Sequence, residues 1–246
     1  MVRAAATPET CYACNSLGTS REHAPPLCVF PESADVDDGD DYRKNLWRVW
    51  SCDEHNLEKS ADDEYMFHVL ASNITSNAHG LGQVTTKVRR AVLRALERQG
   101  HAPISAAMSA SQEVRVRDSA TGTIHEAAMA PLEPRFLRSL ELTALALHRH
   151  HYRLNWPGGV VVWPDFVDYP DAENKPELDR FRQALYEQAT REFATAERLG
   201  ANPNVFWYSV RESLVPPGRL MRLAFYGGAT VTAYFDVKSP TRNSAA

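Results

Sequence analysis

The segment CYACNSLGTSREHAPPLC, residues 11 to 28, decides how the first part of this chain folds. Its cysteines Cys11 and Cys14 are three residues apart, so both thiolates can reach one ion where the backbone turns back on itself. A second segment, SCDEHNLEKSADDEY at residues 51 to 65, repeats this spacing. Its pair is Cys52 and His55. Four such ligands predict a tetrahedral zinc site, which is structural because the protein fills every position.

The cysteines leave two alternatives open. Cys11 and Cys14 could form a redox pair with His55 incidental, but no thioredoxin-like βαβ pattern surrounds them. Cys28 could replace His55 as the fourth zinc ligand. We favour His55, because a cysteine that follows two prolines closely, as Cys28 does, is typical of a buried free thiol.

The composition sets limits on the remaining possibilities. The chain has 246 residues, of which 43% are hydrophobic and 24% charged, and its formal net charge is -4. This mild acidity gives no global signal for nucleic acid or a membrane surface, although a local basic patch is compatible with it. We expect a cytoplasmic protein, because no apolar run approaches the ~20 residues of a membrane span and a CxxC pair fits a reducing compartment. The N-terminus also lacks the apolar core of a signal peptide.

The chain divides into two regions by pattern. Residues 1–75 contain all four cysteines and predict a zinc-binding module, whereas residues 76–240 predict an α+β domain of unknown role. In the first region, Ser60 is a good N-cap for a helix whose first turn is acidic. In the second, apolar residues recur at helical spacing over 81–99. The fold class is therefore α+β.

Further helices and strands follow in the second region. Helical faces run from Leu137 to His148 and from Leu178 to Leu199. Alternating or β-branched runs predict strands, with a turn at Gly227-Gly228. The predicted strands are QEVRVRD and GTIHEA, which form a hairpin, and GVVVWP, VFWYSVR, RLMRLAFY and ATVTAYF.

The order of the motifs resembles the HNH endonucleases, the zinc-bearing branch of the ββα-metal or treble-clef nucleases. The matching segments are CYAC, REHAPP and CDEHNLEKS, and they cover roughly residues 8 to 66. The resemblance implies that His23 is the general base and that Glu22 and Asn56 bind a catalytic Mg²⁺ or Mn²⁺. It also makes Asn45 the candidate for the amide that orients the base, although its distance from Cys52 is long for the family.

The expected function is metal-dependent hydrolysis of phosphodiester bonds in DNA, with RNA as the alternative substrate. A histidine can activate water near neutral pH, and a carboxylate with an amide oxygen suits a hard divalent cation. The competing hypothesis is a non-catalytic zinc module that binds protein or nucleic acid. In it, His23 orients the knuckle, Glu22 is a surface charge, and the second region contacts a protein partner but no membrane.

Two further patterns have a structural and a functional interpretation. The helix predicted over 81–99 has a basic face that could follow a phosphate backbone, although solvated helices look the same. Its basic residues are Lys87, Arg89, Arg90, Arg94 and Arg98. HRHHY, residues 148–152, could hold a metal, but histidines also stabilise a helix C-terminus and we favour that role. Trp47 and Trp50 could stack on bases, and we expect them instead to pack under the zinc module.

Overall fold

A computed structural model describes residues 9–236 except for 15, 37–38, 58, 100–110, 118–123, 130–132, 167–173 and 215–216. Within this part, the chain is mixed α+β, with a cysteine-rich N-terminal unit and an antiparallel five-stranded sheet. The predicted fold class is therefore confirmed. No helix in the described ranges is both long and apolar enough to span a bilayer.

The N-terminal unit is a two-stranded sheet followed by two helices. β1 (Ser20–His23) and β2 (Arg48–Ser51) are antiparallel, with Ser20 opposite Ser51 and His23 opposite Arg48. The chain then enters α1 (Asp53–Leu57), and α2 (Lys59–Ala71) follows. This order, strand pair then helix, carries the second metal-binding pair at the start of α1.

The predicted 81–99 helix is longer and less regular than its pattern suggests. It begins as α3 (Ala78–Gln83), passes through a π-helical turn (Val84–Val88) and continues as α4 (Arg89–Gln99). Asn77 caps its start, because the Asn77 side chain accepts hydrogen bonds from the backbone N–H groups of the next turn.

Two long helices flank the C-terminal sheet. α5 (Pro134–Tyr152) has proline in its first turn, where the N–H that proline lacks would have no acceptor within the helix. It ends at Arg153, which has the left-handed conformation. α6 (Lys175–Glu192) ends earlier than predicted. Leu199, assigned to that helix from its spacing, instead opens a strand, which corrects the prediction.

The five-stranded sheet has the order β5-β9-β8-β7-β6, with every neighbouring pair antiparallel. Its strands are β5 (Gly159–Pro164), β6 (Leu199–Asn202), β7 (Phe206–Leu214), β8 (Pro217–Phe225) and β9 (Ala229–Asp236). The β8–β9 turn lies at the predicted glycines, and Gly227 has a φ of 79°. A separate hairpin pairs β3 (Gln112–Arg117) with β4 (Ile124–Met129), also as predicted.

The hydrophobic core joins the two sequence regions. α2 packs on α5, and a single cluster of buried side chains includes Phe67 of α2 and Phe225 of β8. Trp47 packs between the rings of His150 and Tyr208, at centroid distances of 5.0 and 5.1 Å. The division at residue 75 remains a prediction, but the two regions share one core.

Candidate functional site

The four predicted zinc ligands lie together. The ligand atoms of Cys11, Cys14, Cys52 and His55 are all within 4.8 Å of one another. The Cys14 and Cys52 Sγ atoms are 3.8 Å apart, which is about the separation of two sulfurs bound tetrahedrally to zinc at ~2.3 Å. The donor set and spacing therefore fit a structural Zn²⁺.

Local backbone bonds shape the knuckle. The Cys11 N–H donates to the carbonyl of Ser16 at 2.9 Å, and the Gly18 N–H donates to that of Glu9 at 3.0 Å, which closes the turn between the cysteines. Burial raises the Cys11 pKa, but hydrogen bonds from His55 and from backbone amides outweigh it and lower the pKa to about 6. A thiol that ionises this readily is suited to binding a metal as thiolate.

His55, and not Cys28, is the fourth member of the cluster. The Cys28 thiol lies elsewhere and donates to the carbonyl of Asp63 at 3.5 Å. Burial raises the pKa of Cys28 to about 12, so it remains a neutral thiol. The expectation of a free cysteine at this position agrees with this geometry.

Beside the zinc cluster is a cavity of about 410 Å³. Three side chains that the resemblance assigned to catalysis line it together, namely Glu22, His23 and Asn56. Glu22 and His23 reach it from the end of β1, whereas Asn56 reaches it from α1, the helix that carries His55. The strand pair and the zinc-anchored helix start therefore bring them to one cavity.

His23 has the properties of a base at neutral pH. Its imidazole is partly buried, and burial lowers its pKa, as do the positive charges of Arg48 and Arg43. A histidine whose pKa is lowered is neutral at pH 7 and can accept a proton.

Glu22 lies in a buried ion-pair network. The Lys59 ammonium is 3.5 Å from Glu22 Oε1 and 3.6 Å from Asp63 Oδ2. The side chain of Lys59 is only 2% exposed. Burial raises the Asp63 pKa to about 7, although the nearby Lys59 acts in the opposite direction. Lys59 therefore fixes the position of Glu22 and neutralises part of the negative charge beside the cavity.

The two asparagines differ in position. The Asn56 Nδ2 donates to Ser20 Oγ at 2.8 Å, which orients the amide and leaves its carbonyl oxygen for another partner. Asn45 has a positive φ of 56° and lines a different, much smaller cavity, next to Trp47 and Phe206. The structure therefore does not bring Asn45 to the cavity with His23. This agrees with its separation from Cys52 in the sequence, which is long for the family.

Several cavity residues were not assigned to the site from sequence. They are Arg21, Asp63, Glu64, His68, Lys87 and Arg94. The acidic start of α2 was expected near the site but was given only a helix-dipole role. Asp63 is four residues after Lys59 on α2, one helical turn, and this spacing was a usable signal. Arg94 was recognised only as part of a basic face, and its approach to the cavity depends on long-range packing.

Comparison with models of protein families, with curated protein sequences and with solved structures gives no match to this chain.

Proposed function

We propose that the protein is a metal-dependent endonuclease that hydrolyses phosphodiester bonds in DNA. The observation that supports this proposal most is that an imidazole, a carboxylate and an amide, those of His23, Glu22 and Asn56, line one cavity beside a structural zinc cluster. The mild net acidity of the chain is no obstacle, because three cationic side chains, Arg21, Lys87 and Arg94, line the cavity.

The roles follow from the chemistry of each side chain. The neutral imidazole of His23 takes a proton from the water that attacks phosphorus, while the bond to the leaving oxygen breaks. Glu22 and the amide oxygen of Asn56 would hold Mg²⁺ or Mn²⁺, for which oxygen donors are suited. A divalent cation bound there neutralises charge on the phosphate and the leaving oxygen. Lys59 and Ser20 orient these two donors.

A plasmid-nicking assay tests the proposal. Wild-type protein with Mg²⁺ or Mn²⁺ should convert supercoiled DNA to the nicked form, and His23→Ala should lower the rate by about 100-fold or more, as expected for loss of a general base. His151→Ala is the matched control, because this exposed histidine lies outside the cavity. Zinc content must stay at wild-type level in both variants. Zinc-loaded wild type that cleaves neither DNA nor RNA would contradict the proposal.

One observation favours a second candidate, a non-catalytic zinc module that binds protein or nucleic acid. Glu22 is already paired with the Lys59 ammonium, so one of its oxygens has a cation beside it. Titration with Mn²⁺, followed by electron paramagnetic resonance, separates the two candidates. An endonuclease should bind Mn²⁺ in a way that Glu22→Gln abolishes, whereas equal Mn²⁺ binding by wild type and variant favours the scaffold.

A further inference from the structure

The cavity has two walls from distant parts of the sequence. One wall is β1 with α1 and the start of α2. The other is the helix that runs through the π-helical turn into α4, which contributes Lys87, Ala91 and Arg94. This second wall lies outside the segment that resembles HNH endonucleases, so its role does not follow from that resemblance.

The cations on this helix fall into two classes. Arg90 pairs with Asp35 and Glu32, and Lys87 donates to the carbonyl of Cys28 at 2.9 Å. These contacts tie the helix to the chain segment that follows β1. They therefore hold the second wall in place rather than leaving charge for a ligand.

Arg94 belongs to the other class. It is exposed, it lines the cavity, and it makes no ion pair or hydrogen bond with any residue in the described part of the chain. Because Arg94 is four residues after Arg90, it lies on the same helix face, one turn further along. Arg90 thus anchors the face on which Arg94 is presented.

Arg21 is its counterpart on the first wall. It is exposed, it lines the same cavity, and it precedes Glu22 directly in β1. Its guanidinium carbon is 5.4 Å from the centre of the Trp50 ring. Such stacking holds a guanidinium in place without using its N–H groups, which stay available for an anion.

We propose that the cleft between β1 and α4 binds a nucleic-acid backbone, with Arg21 and Arg94 contacting phosphates on either side of the one at His23. This inference rests on the proposed function and assigns its substrate-binding residues. The carboxylates of Glu22, Asp63 and Glu64 beside the cavity repel a phosphate backbone. Binding therefore needs cationic side chains at the cavity that are not already paired with protein groups. Guanidinium groups meet that need because they bind phosphate oxygens through two parallel hydrogen bonds.

The test measures binding separately from cleavage. Fluorescence anisotropy follows a labelled DNA duplex titrated with His23→Ala protein in Ca²⁺ at several salt concentrations. Replacement by glutamine at Arg94 or Arg21 should weaken binding about tenfold at low salt and reduce the slope of log K against log[salt] by about one. Arg94→Lys should restore the salt slope, because it restores the charge.

Arg98→Gln is the matched control, since Arg98 is an exposed arginine on α4 that does not line the cavity. It should change affinity less than twofold and leave the slope unchanged. Equal losses for Arg94→Gln and Arg98→Gln would overturn the assignment, and so would the absence of DNA binding. If the wild-type protein binds DNA but does not cleave it, the nuclease proposal is refuted while the proposed DNA-binding cleft stands. If neither glutamine variant changes the rate of DNA cleavage, the phosphate contacts of Arg21 and Arg94 are refuted while the nuclease proposal stands.

Discussion

At the scale of single residues, His148 shows how a buried titratable group makes folding depend on pH. Its side chain is fully buried, and its Nε2 lies 2.7 Å from the Arg219 guanidinium, which can only donate. The rings of Tyr152, Trp156 and Phe235 surround it. Burial first, and then the charges of Arg219 and His151, lowers the His148 pKa to about 4, so it is neutral in the folded protein.

The first prediction follows from the sign of this shift. The unfolded state binds the proton with a pKa of ~6.5 and the folded state with one of about 4, so stability is lost as pH falls from 6.5 towards 4. Between pH 7 and pH 5 the loss from His148 is about 2 kcal/mol. Urea unfolding at both pH values should show a smaller loss for His148→Gln, which keeps an acceptor but does not titrate. An equal loss in the variant would contradict this account.

Single residues also differ in how far their place in the candidate site could be predicted from the sequence. The common cavity of Glu22, His23 and Asn56 was predictable, because the first two follow the cysteine knuckle closely and Asn56 is next to His55, although their catalytic roles remain a prediction. The position of Asn45 was not predictable, because the chain between Phe30 and β2 can turn in many ways, and its observed turn carries Asn45 to another cavity. Arg94 was also out of reach, since its place depends on how α4 packs.

At the scale of elements, the zinc knuckle is held by the loop after α5. The Asn155 Nδ2 donates to the carbonyls of Cys11 at 2.8 Å and Cys14 at 3.1 Å. It therefore fixes the backbone of both cysteines from a part of the chain that is more than a hundred residues away. Groups that orient metal ligands in this way commonly change metal affinity when they are removed.

The second prediction uses a matched pair of asparagines. Asn155→Ala should cost about 1 to 3 kcal/mol of unfolding free energy, because two carbonyls lose their donor. It should also speed zinc transfer to a chromogenic chelator about tenfold. The Asn202 Nδ2 donates a similar hydrogen bond to the carbonyl of Tyr42 at 2.8 Å, away from the zinc cluster. Asn202→Ala should therefore lower stability but not change zinc release, and equal release rates in both variants would refute the role of Asn155.

Element boundaries were harder to predict than element types. The strands and hairpin of the C-terminal region alternate strongly, and in β9 every second residue from Ala229 is buried. The end of α6 was misplaced because Leu199 falls on the helical spacing, whereas the chain leaves the helix after Glu192. The π-helical turn Val84–Val88 was not predicted, since an i to i+5 bond leaves little trace in a hydrophobic pattern.

At the scale of the whole molecule, the two sequence regions are joined by polar as well as apolar contacts. The hydroxyl of Tyr226, at the β8–β9 turn, donates to the carbonyl of Val29. The Gln83 Nε2 donates to the same carbonyl at 2.7 Å. Both contacts cross the predicted boundary at residue 75. The zinc-binding unit is therefore joined to the rest of the protein by buried hydrogen bonds. Without them, these buried polar groups would need water as their partner.

The last prediction concerns whether that unit can fold alone. Residues 1–75 expressed with zinc should show neither a cooperative unfolding transition nor dispersed amide signals, although the thiols still bind metal. α2 carries four side chains that are at most 4% exposed in the whole protein, Tyr65, Met66, Phe67 and Leu70, and the fragment lacks α5, on which α2 packs. Full exposure of all four would cost about 6 to 12 kcal/mol at roughly 1.5 to 3 kcal/mol each, which is comparable to the whole stability of a typical domain. The control is the chain truncated after residue 236, which keeps α5 and the sheet and should unfold cooperatively. A fragment 1–75 with a sharp transition would mean that zinc alone replaces this core, and the unit would then be an independent domain.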